Sequence, residues 1–195
     1  MSTIYNILIL KILNEIIPAT KISVTEGNKI FGAAILSKND YSTLVVGTNN
    51  EIVNPLYHGE ISTINKFFSS NLSKKIKPSE CIFLSTHEPC SLCLSAITWS
   101  GFNIFYYFFP YSETKDSFKI PHDLNILKEI FNIQNGSYNK DNNYWKSYSI
   151  IEEVNKLNNQ EKHKLQENIK KIYQEYKKLS NFYQKSKKLN KIPLN

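Results

Sequence analysis

Two short motifs contain the residue types that bind zinc and move protons. The first is a His-Gly-Glu triplet at residues 58–60, and the second is a Cys-Ser-Leu-Cys run at residues 90–93, preceded by proline. Cys90 and Cys93 are three residues apart, so in a helix they share one face. With His58 they supply three zinc ligands and leave a fourth position for water, which is typical of catalytic zinc sites. Taken alone, the Cys-x-x-Cys pair also fits a redox dithiol or half of a structural zinc site.

Glu60 is the candidate proton carrier, because it lies two residues from His58. Zinc lowers the pKa of a bound water toward about 7, and a nearby carboxylate can take the released proton and pass it on. Both motifs stand at predicted helix starts, where the positive end of the helix dipole favours thiolates and developing hydroxide. The pattern therefore predicts a site at which zinc-bound hydroxide is available at neutral pH.

The remaining pattern predicts an α/β domain that positions these motifs. Residues 4–17 have helical apolar spacing, and Pro18 is expected to end that helix. Residues 30–36 and 42–46 predict a hairpin. A helix from His58, a strand over 81–85, a helix over 89–101 and a strand buried on both faces over 103–109 follow. The helix from His58 is expected to bury Ile61, Ile64, Phe67 and Phe68. Pro121, followed by Leu124, Leu127, Ile130 and Phe131, predicts a fourth helix.

The last third of the chain is polar and basic. Residues 132–147 predict either a surface loop or a lid that turns Tyr138, Tyr144 and Trp145 toward a ligand. A long helix over 159–189 has one apolar seam, expected to dock on its own domain or on a second subunit. We divide the chain into a catalytic domain, residues 1–150, and a basic helical extension, residues 151–195.

The net charge of +7 resides almost entirely in the extension. Residues 1–150 contain 13 Lys and 12 Asp or Glu, whereas residues 151–195 contain 11 Lys and 5 acidic residues. All basic residues are Lys, which removes the arginine fork that phosphate recognition often uses.

Three cysteines argue against a disulfide framework. With neither a signal-peptide pattern nor a transmembrane pattern, we expect a cytoplasmic protein without a membrane partner.

The pair H-x-E and P-C-x-x-C is the signature of zinc deaminases, and over residues 1–131 the chain resembles the cytidine-deaminase superfamily. The run from Asn28 to Ala34 is similar to that family's first core strand, and Gly47-Thr48-Asn49 is similar to its substrate loop. The resemblance implies a three-layer α/β/α fold with a mixed five-stranded sheet, to which this chain adds a long C-terminal helix.

The resemblance also assigns roles to individual residues. It implies that His58, Cys90 and Cys93 bind Zn²⁺, that Glu60 shuttles protons and that Asn49 hydrogen-bonds the base or its sugar. Gly59 is a further candidate substrate contact, and Phe31, Phe109 and Trp145 are candidate walls of an apolar pocket. The implied reaction is hydrolytic: zinc hydroxide attacks the amine-bearing ring carbon and ammonia leaves.

The sequence resembles deaminases of different substrate classes. Residues 61–64 after the His-Gly-Glu triplet are similar to fungal-type cytosine deaminases, whereas Glu88 and residues 96–99 are similar to guanine deaminases and tRNA adenosine deaminases. We expect a small nucleobase or nucleoside as the substrate. The alternatives are adenosine in tRNA, contacted by the Lys-rich extension, and a catalytically silent subunit that binds a partner. The superfamily also implies a homo-oligomer.

Overall fold

A mixed five-stranded sheet forms the centre of the computed structural model, which describes residues 4–195. The strands are β1 (Gly32–Ser37), β2 (Thr43–Thr48), β3 (Cys81–His87), β4 (Ile104–Phe109) and β5 (Lys146–Ser149). Their order is β2-β1-β3-β4-β5. β1 runs antiparallel to β2 and β3, while β3, β4 and β5 run parallel to one another.

Helices cover both faces of this sheet. They are α1 (Ile4–Lys11), α2 (Ile17–Thr25), α3 (Gly59–Ser69), α4 (Ser91–Trp99), α5 (Tyr111–Asp116), α6 (His122–Phe131), α7 (Ile150–Asn155) and α8 (Asn159–Ser186). One core cluster joins α3 and α4 to the sheet, and the other joins it to α1, α2, α7 and α8. The predicted three-layer α/β/α fold with a mixed sheet and a long C-terminal helix is thereby confirmed.

The first helix continues through Pro18, so the prediction that Pro18 ends it is wrong. A π-helical turn, Ile12–Ile16, joins α1 to α2, and the N–H of Ile17 bonds to the carbonyl of Ile12, five residues back. Proline inside an α-helix lacks a donor and clashes with the carbonyl four residues earlier. Here Pro18 stands in the first turn of α2, where proline is tolerated.

The predicted buried face of α3 differs in part from the structure. α3 buries Gly59, Glu60, Thr63, Ile64 and Phe67, while Phe68 is exposed. α3 approaches β2 closely, since a Cβ added at Gly47 would collide with the hydroxyl and backbone of Thr63. α6 buries Leu127 but exposes Ile130 and Phe131. The sequence analysis also missed the short helix α5.

The apolar seam of α8 packs on its own domain. Its residues Leu165, Ile172, Tyr176, Leu179 and Tyr183 share one core cluster with Leu8, Ile9, Ile12 and Ile16 of the first helix. Docking on the own domain is thus the arrangement that the structure shows, while the boundary at residue 150 stays a prediction. Within residues 4–195, no helix combines the length and apolar character that a membrane span requires.

Candidate metal and active site

The two motifs meet where two helices begin. His58 immediately precedes α3, Cys90 immediately precedes α4, and both have extended backbone conformations. Cys93 lies in the first turn of α4, and β3 ends nearby at His87. The first motif follows a turn-rich loop and the second follows β3, and each starts a helix that packs on the sheet. The helix N-termini therefore direct their positive ends toward the donor cluster.

The three donor atoms lie close enough to hold one metal ion. The Nδ1 atom of His58 is 3.5 Å from the Sγ atom of Cys90 and 3.7 Å from the Sγ atom of Cys93, and all donors lie within 4.8 Å of one another. Zinc bonds of about 2.3 Å to sulfur and about 2.0 Å to nitrogen, at a tetrahedral angle, place sulfur and nitrogen about 3.5 Å apart. The donor set and its spacing therefore fit zinc, and His58, Cys90 and Cys93 are positioned to bind it.

The three donor side chains shift one another's pKa values. Hydrogen bonding from Cys93 lowers the pKa of the Cys90 thiol well below its usual value, despite burial. Burial raises the pKa of Cys93. Burial also works to lower the pKa of His58, but the hydrogen bond and charge of Cys90 outweigh it and raise that pKa to about 9. Metal binding must displace such protons, so it is coupled to pH.

Glu60 is buried directly beside the donors. Its Oε1 atom accepts a hydrogen bond of 2.7 Å from the Ser85 hydroxyl, and its Oε2 atom accepts one of 3.3 Å from the Cys93 thiol. Burial and the nearby charge of Cys90 raise the pKa of the Glu60 carboxyl. A carboxyl group with a raised pKa takes up a proton more readily than an ordinary carboxylate, as a proton carrier must. The structure thus places Glu60 where the motif predicts a proton carrier.

A buried carboxylate supports His58 from behind. Glu51 Oε1 is 3.8 Å from the Nε2 atom of His58 and forms a 2.7 Å ion pair with Lys29. Its Oε2 atom accepts a 2.6 Å hydrogen bond from the Asn49 amide. A carboxylate behind a metal-binding histidine fixes the ring and strengthens metal binding. The sequence analysis missed Glu51 because no motif marks it.

We expect Glu51→Gln to weaken zinc binding by about 10–100-fold, the usual cost of losing such a partner. The amide keeps the size of the side chain but removes the charge that faces both His58 and Lys29. Competition with a chromogenic chelator measures the affinity directly. Glu26→Gln, a surface substitution just after α2, is the control and should leave it unchanged. Equal affinities of the Glu51 variant and the native chain would refute this supporting role.

Two adjoining cavities lie at the donor cluster. The smaller one is lined by Phe31, His58, Glu60, His87, Glu88, Cys90, Cys93 and Asp123. The larger one, of about 240 Å³, shares Phe31, His58, Cys90 and Asp123 with it and extends outward along apolar side chains. Phe31 therefore lies at the site, as expected for a pocket wall.

Asn49 and Gly59 lie behind the donor cluster. Asn49 is buried, and its Oδ1 atom accepts a 2.5 Å hydrogen bond from the N–H of Gly59. A Cβ at Gly59 would lie 3.0 Å from the Cα atom of Gly32, so glycine allows α3 to start against β1. Both residues thus position His58 and Glu60, and their direct contact with substrate stays a prediction.

The structure corrects the expectation that Trp145 contacts substrate. Trp145 is buried in the core beneath α4, its ring packs 5.0 Å from that of Phe105, and its Nε1 atom donates to the Thr98 hydroxyl. Tyr138 packs against Trp145 at 6.0 Å, and residues 132–147 do not line either cavity. Asn135, Gly136 and Lys140 instead line a separate cavity beside Glu88. Whether residues 132–147 close over a ligand stays a prediction.

Phe109 likewise lies outside both cavities. Its ring packs 4.9 Å from that of His87, within an aromatic cluster that includes Phe118 and Tyr176. It reaches the site only through His87, which lines the smaller cavity. Burial lowers the pKa of His87 to about 3, so this imidazole is neutral.

Asp123 is a further site residue that the sequence analysis missed. It lines both cavities, and burial raises the pKa of its carboxyl well above the usual value. In the sequence it looks like an ordinary acidic residue in the first turn of a helix. Only the folding of α6 over the site brings it near His58 and Cys90.

The fold and this cluster define an α/β/α protein with a His-Cys-Cys metal site between two helix N-termini. A family description, the cytidine and deoxycytidylate deaminase zinc-binding region, matches residues 10–109. The chain belongs to this family. No curated protein sequence matches the chain at a significant level.

The chain is similar to several solved structures at low sequence identity, and the first of these, with a TM-score above 0.5, has the same fold. A mutant of the protein NE0047 in complex with 8-azaguanine is 12% identical, with a TM-score of 0.57, over 92% of this chain and 85% of that one. Guanine deaminase from Bacillus subtilis is 23% identical over 68% and 84% of the two chains, with a TM-score of 0.46. A deaminase that edits A to I at the wobble position of tRNA is 16% identical over 68% and 92%, with a TM-score of 0.44.

Proposed function

We propose that this protein is a zinc-dependent hydrolytic deaminase of a small nucleobase or nucleoside. The observation that carries the proposal is the buried Glu60 carboxyl, which shares one cavity with all three metal donors. A structural zinc site has no need of a buried carboxyl group beside it, whereas hydrolysis needs a proton carrier there.

His58, Cys90 and Cys93 hold the zinc in this proposal. When bound, zinc supplies Lewis-acid activation that makes water nucleophilic at neutral pH. Glu60 takes a proton at Oε2 and returns it to the departing nitrogen, while the Ser85 hydroxyl holds Oε1 in place. Water adds to the amine-bearing carbon, the carbon–nitrogen bond breaks, and the products are the carbonyl compound and ammonia.

The size and lining of the larger cavity favour a small substrate. Its volume of about 240 Å³ lies below the range of about 300–1,000 Å³ that is usual for drug-sized ligands. Phe31 offers an aromatic surface for a planar ring, and Asp123 offers a polar group for the edge of a base. The expected homo-oligomer and cytoplasmic location stay predictions.

Ammonia release tests the proposal directly. Zinc-loaded protein is incubated with cytosine, guanine, cytidine, deoxycytidine, adenosine and an anticodon stem-loop RNA, with metal-depleted protein as the control. We expect release from at least one small molecule, lost on metal depletion and restored by zinc. Release from the RNA alone would replace the substrate class by tRNA adenosine. Silence across the panel, with one zinc bound per chain, would favour the silent binding subunit.

A further inference from the structure

The tail segment, residues 190–195, forms part of the wall of the larger cavity. Ile192, Pro193 and Leu194 line this cavity together with the metal donors His58 and Cys90. This segment follows α8 and a short 3₁₀ turn, Lys187–Leu189. Neither motif predicts it near the site, because it lies about 100 residues further along the chain.

Hydrogen bonds tie the tail segment to two helices. The Asn190 amide donates 2.8 Å to the carbonyl of Gly27, just after α2, and the N–H of Ile192 donates to Asn190 Oδ1. At the far end, the Tyr183 hydroxyl of α8 donates to Asn195 Oδ1. Ile192 is only 6% exposed. The segment is therefore an anchored wall of the cavity.

The apolar character of this wall favours a free nucleobase without a sugar or phosphate. Residues 192–194 present apolar side chains to the cavity, and the nearby ammonium of Lys29 is already paired with Glu51. An apolar wall gives sugar hydroxyls and phosphates no hydrogen-bond partner, so burying them there costs free energy. Burying the apolar face of a planar base against the same surface costs little free energy, because that face carries no polar groups.

We propose that the tail segment makes the site selective for a free nucleobase over its nucleoside and over a polynucleotide. This proposal rests on the proposed function and narrows its substrate class. Ile192 is the principal specificity-determining residue in this proposal, because it is the most deeply buried residue of the wall.

The test compares Ile192→Ala with the native chain, using guanine against guanosine and cytosine against cytidine. Calorimetry gives the Kd values on zinc-loaded protein, and ammonia release gives kcat and KM. We expect the native chain to prefer the free base by at least about 10-fold, since apolar contacts in a pocket discriminate by about 10–200-fold. Ile192→Ala should reduce this preference by about 10-fold, mainly through a lower KM for the nucleoside.

Leu189→Ala is the matched control, because Leu189 belongs to the preceding turn and is 89% exposed. Its preference should equal that of the native chain. Leu194→Ala is a second variant of the same wall, at a half-exposed position that folding tolerates better. It should relax the preference in the same direction.

An unchanged base-to-nucleoside ratio in both wall variants overturns the proposal. So does a native preference for nucleoside or stem-loop RNA, or the failure of every free base to bind. If bases bind without release of ammonia, the proposed function fails while the Kd ratios still decide the role of the wall. The two failures are thus distinguishable.

Discussion

Glu60→Gln lowers kcat for deamination by about 10²–10⁴-fold, the usual contribution of a positioned acid–base group. The amide keeps the shape of the side chain and can still meet the Ser85 hydroxyl, but it cannot take a proton from water. Substrate binding depends on other cavity residues, so KM should change much less than kcat. The loss should therefore appear in single-turnover rates as well as at steady state.

Glu113→Gln is the matched control for this substitution. Glu113 lies on α5, its Oε1 atom accepts a hydrogen bond from the Tyr173 hydroxyl, and burial raises the pKa of its carboxyl. It thus resembles Glu60 in environment but lies outside both cavities. The measurements are ammonia release and zinc content on each variant. A Glu60 variant with near-native kcat and one zinc per chain would show that Glu60 has a structural role only.

The metal donors were predictable because local signals determine their positions. A histidine or cysteine just before an apolar helical pattern stands at a helix N-terminus, and both His58 and Cys90 do so in the structure. Alternation and continuous apolar runs likewise located four of the five strands and predicted the buried β4. These features depend on periods of two or 3.6 residues and need no knowledge of distant contacts.

Residues that reach the site through tertiary packing were not predictable in this way. Glu51, Asp123 and Ile192 come from three separate segments, and no spacing relates them to the two motifs. The misassignment of Trp145 has the same origin, since its polar surroundings in the sequence hid its burial beneath α4. Phe68 shows the opposite error, since helical spacing predicted its burial but the side chain is 46% exposed.

Cys93→Ala abolishes stoichiometric zinc binding and, with it, deamination. Cys93 is fully buried, and its Sγ atom is one of the three donors around a single point. Losing a direct ligand must cost more than the about 10–100-fold that follows from losing an outer partner. Because a metal that binds only the folded chain stabilises it, by about 4.1 kcal/mol at a thousandfold excess over Kd, the rise in Tm on adding zinc should also disappear.

Cys81→Ala provides the comparison within the same protein. Cys81 is a buried thiol at the start of β3, and it donates to the carbonyl of Lys77, remote from the donor cluster. Removing it lowers Tm by a packing loss but should leave one zinc per chain, the zinc-dependent rise in Tm and the activity. Metal analysis and thermal unfolding with and without zinc separate the two cysteines. Full zinc content in Cys93→Ala, or loss of zinc in Cys81→Ala, would mean that the metal is bound elsewhere. The proposed roles of His58, Cys90 and Cys93 as zinc ligands would then all be wrong.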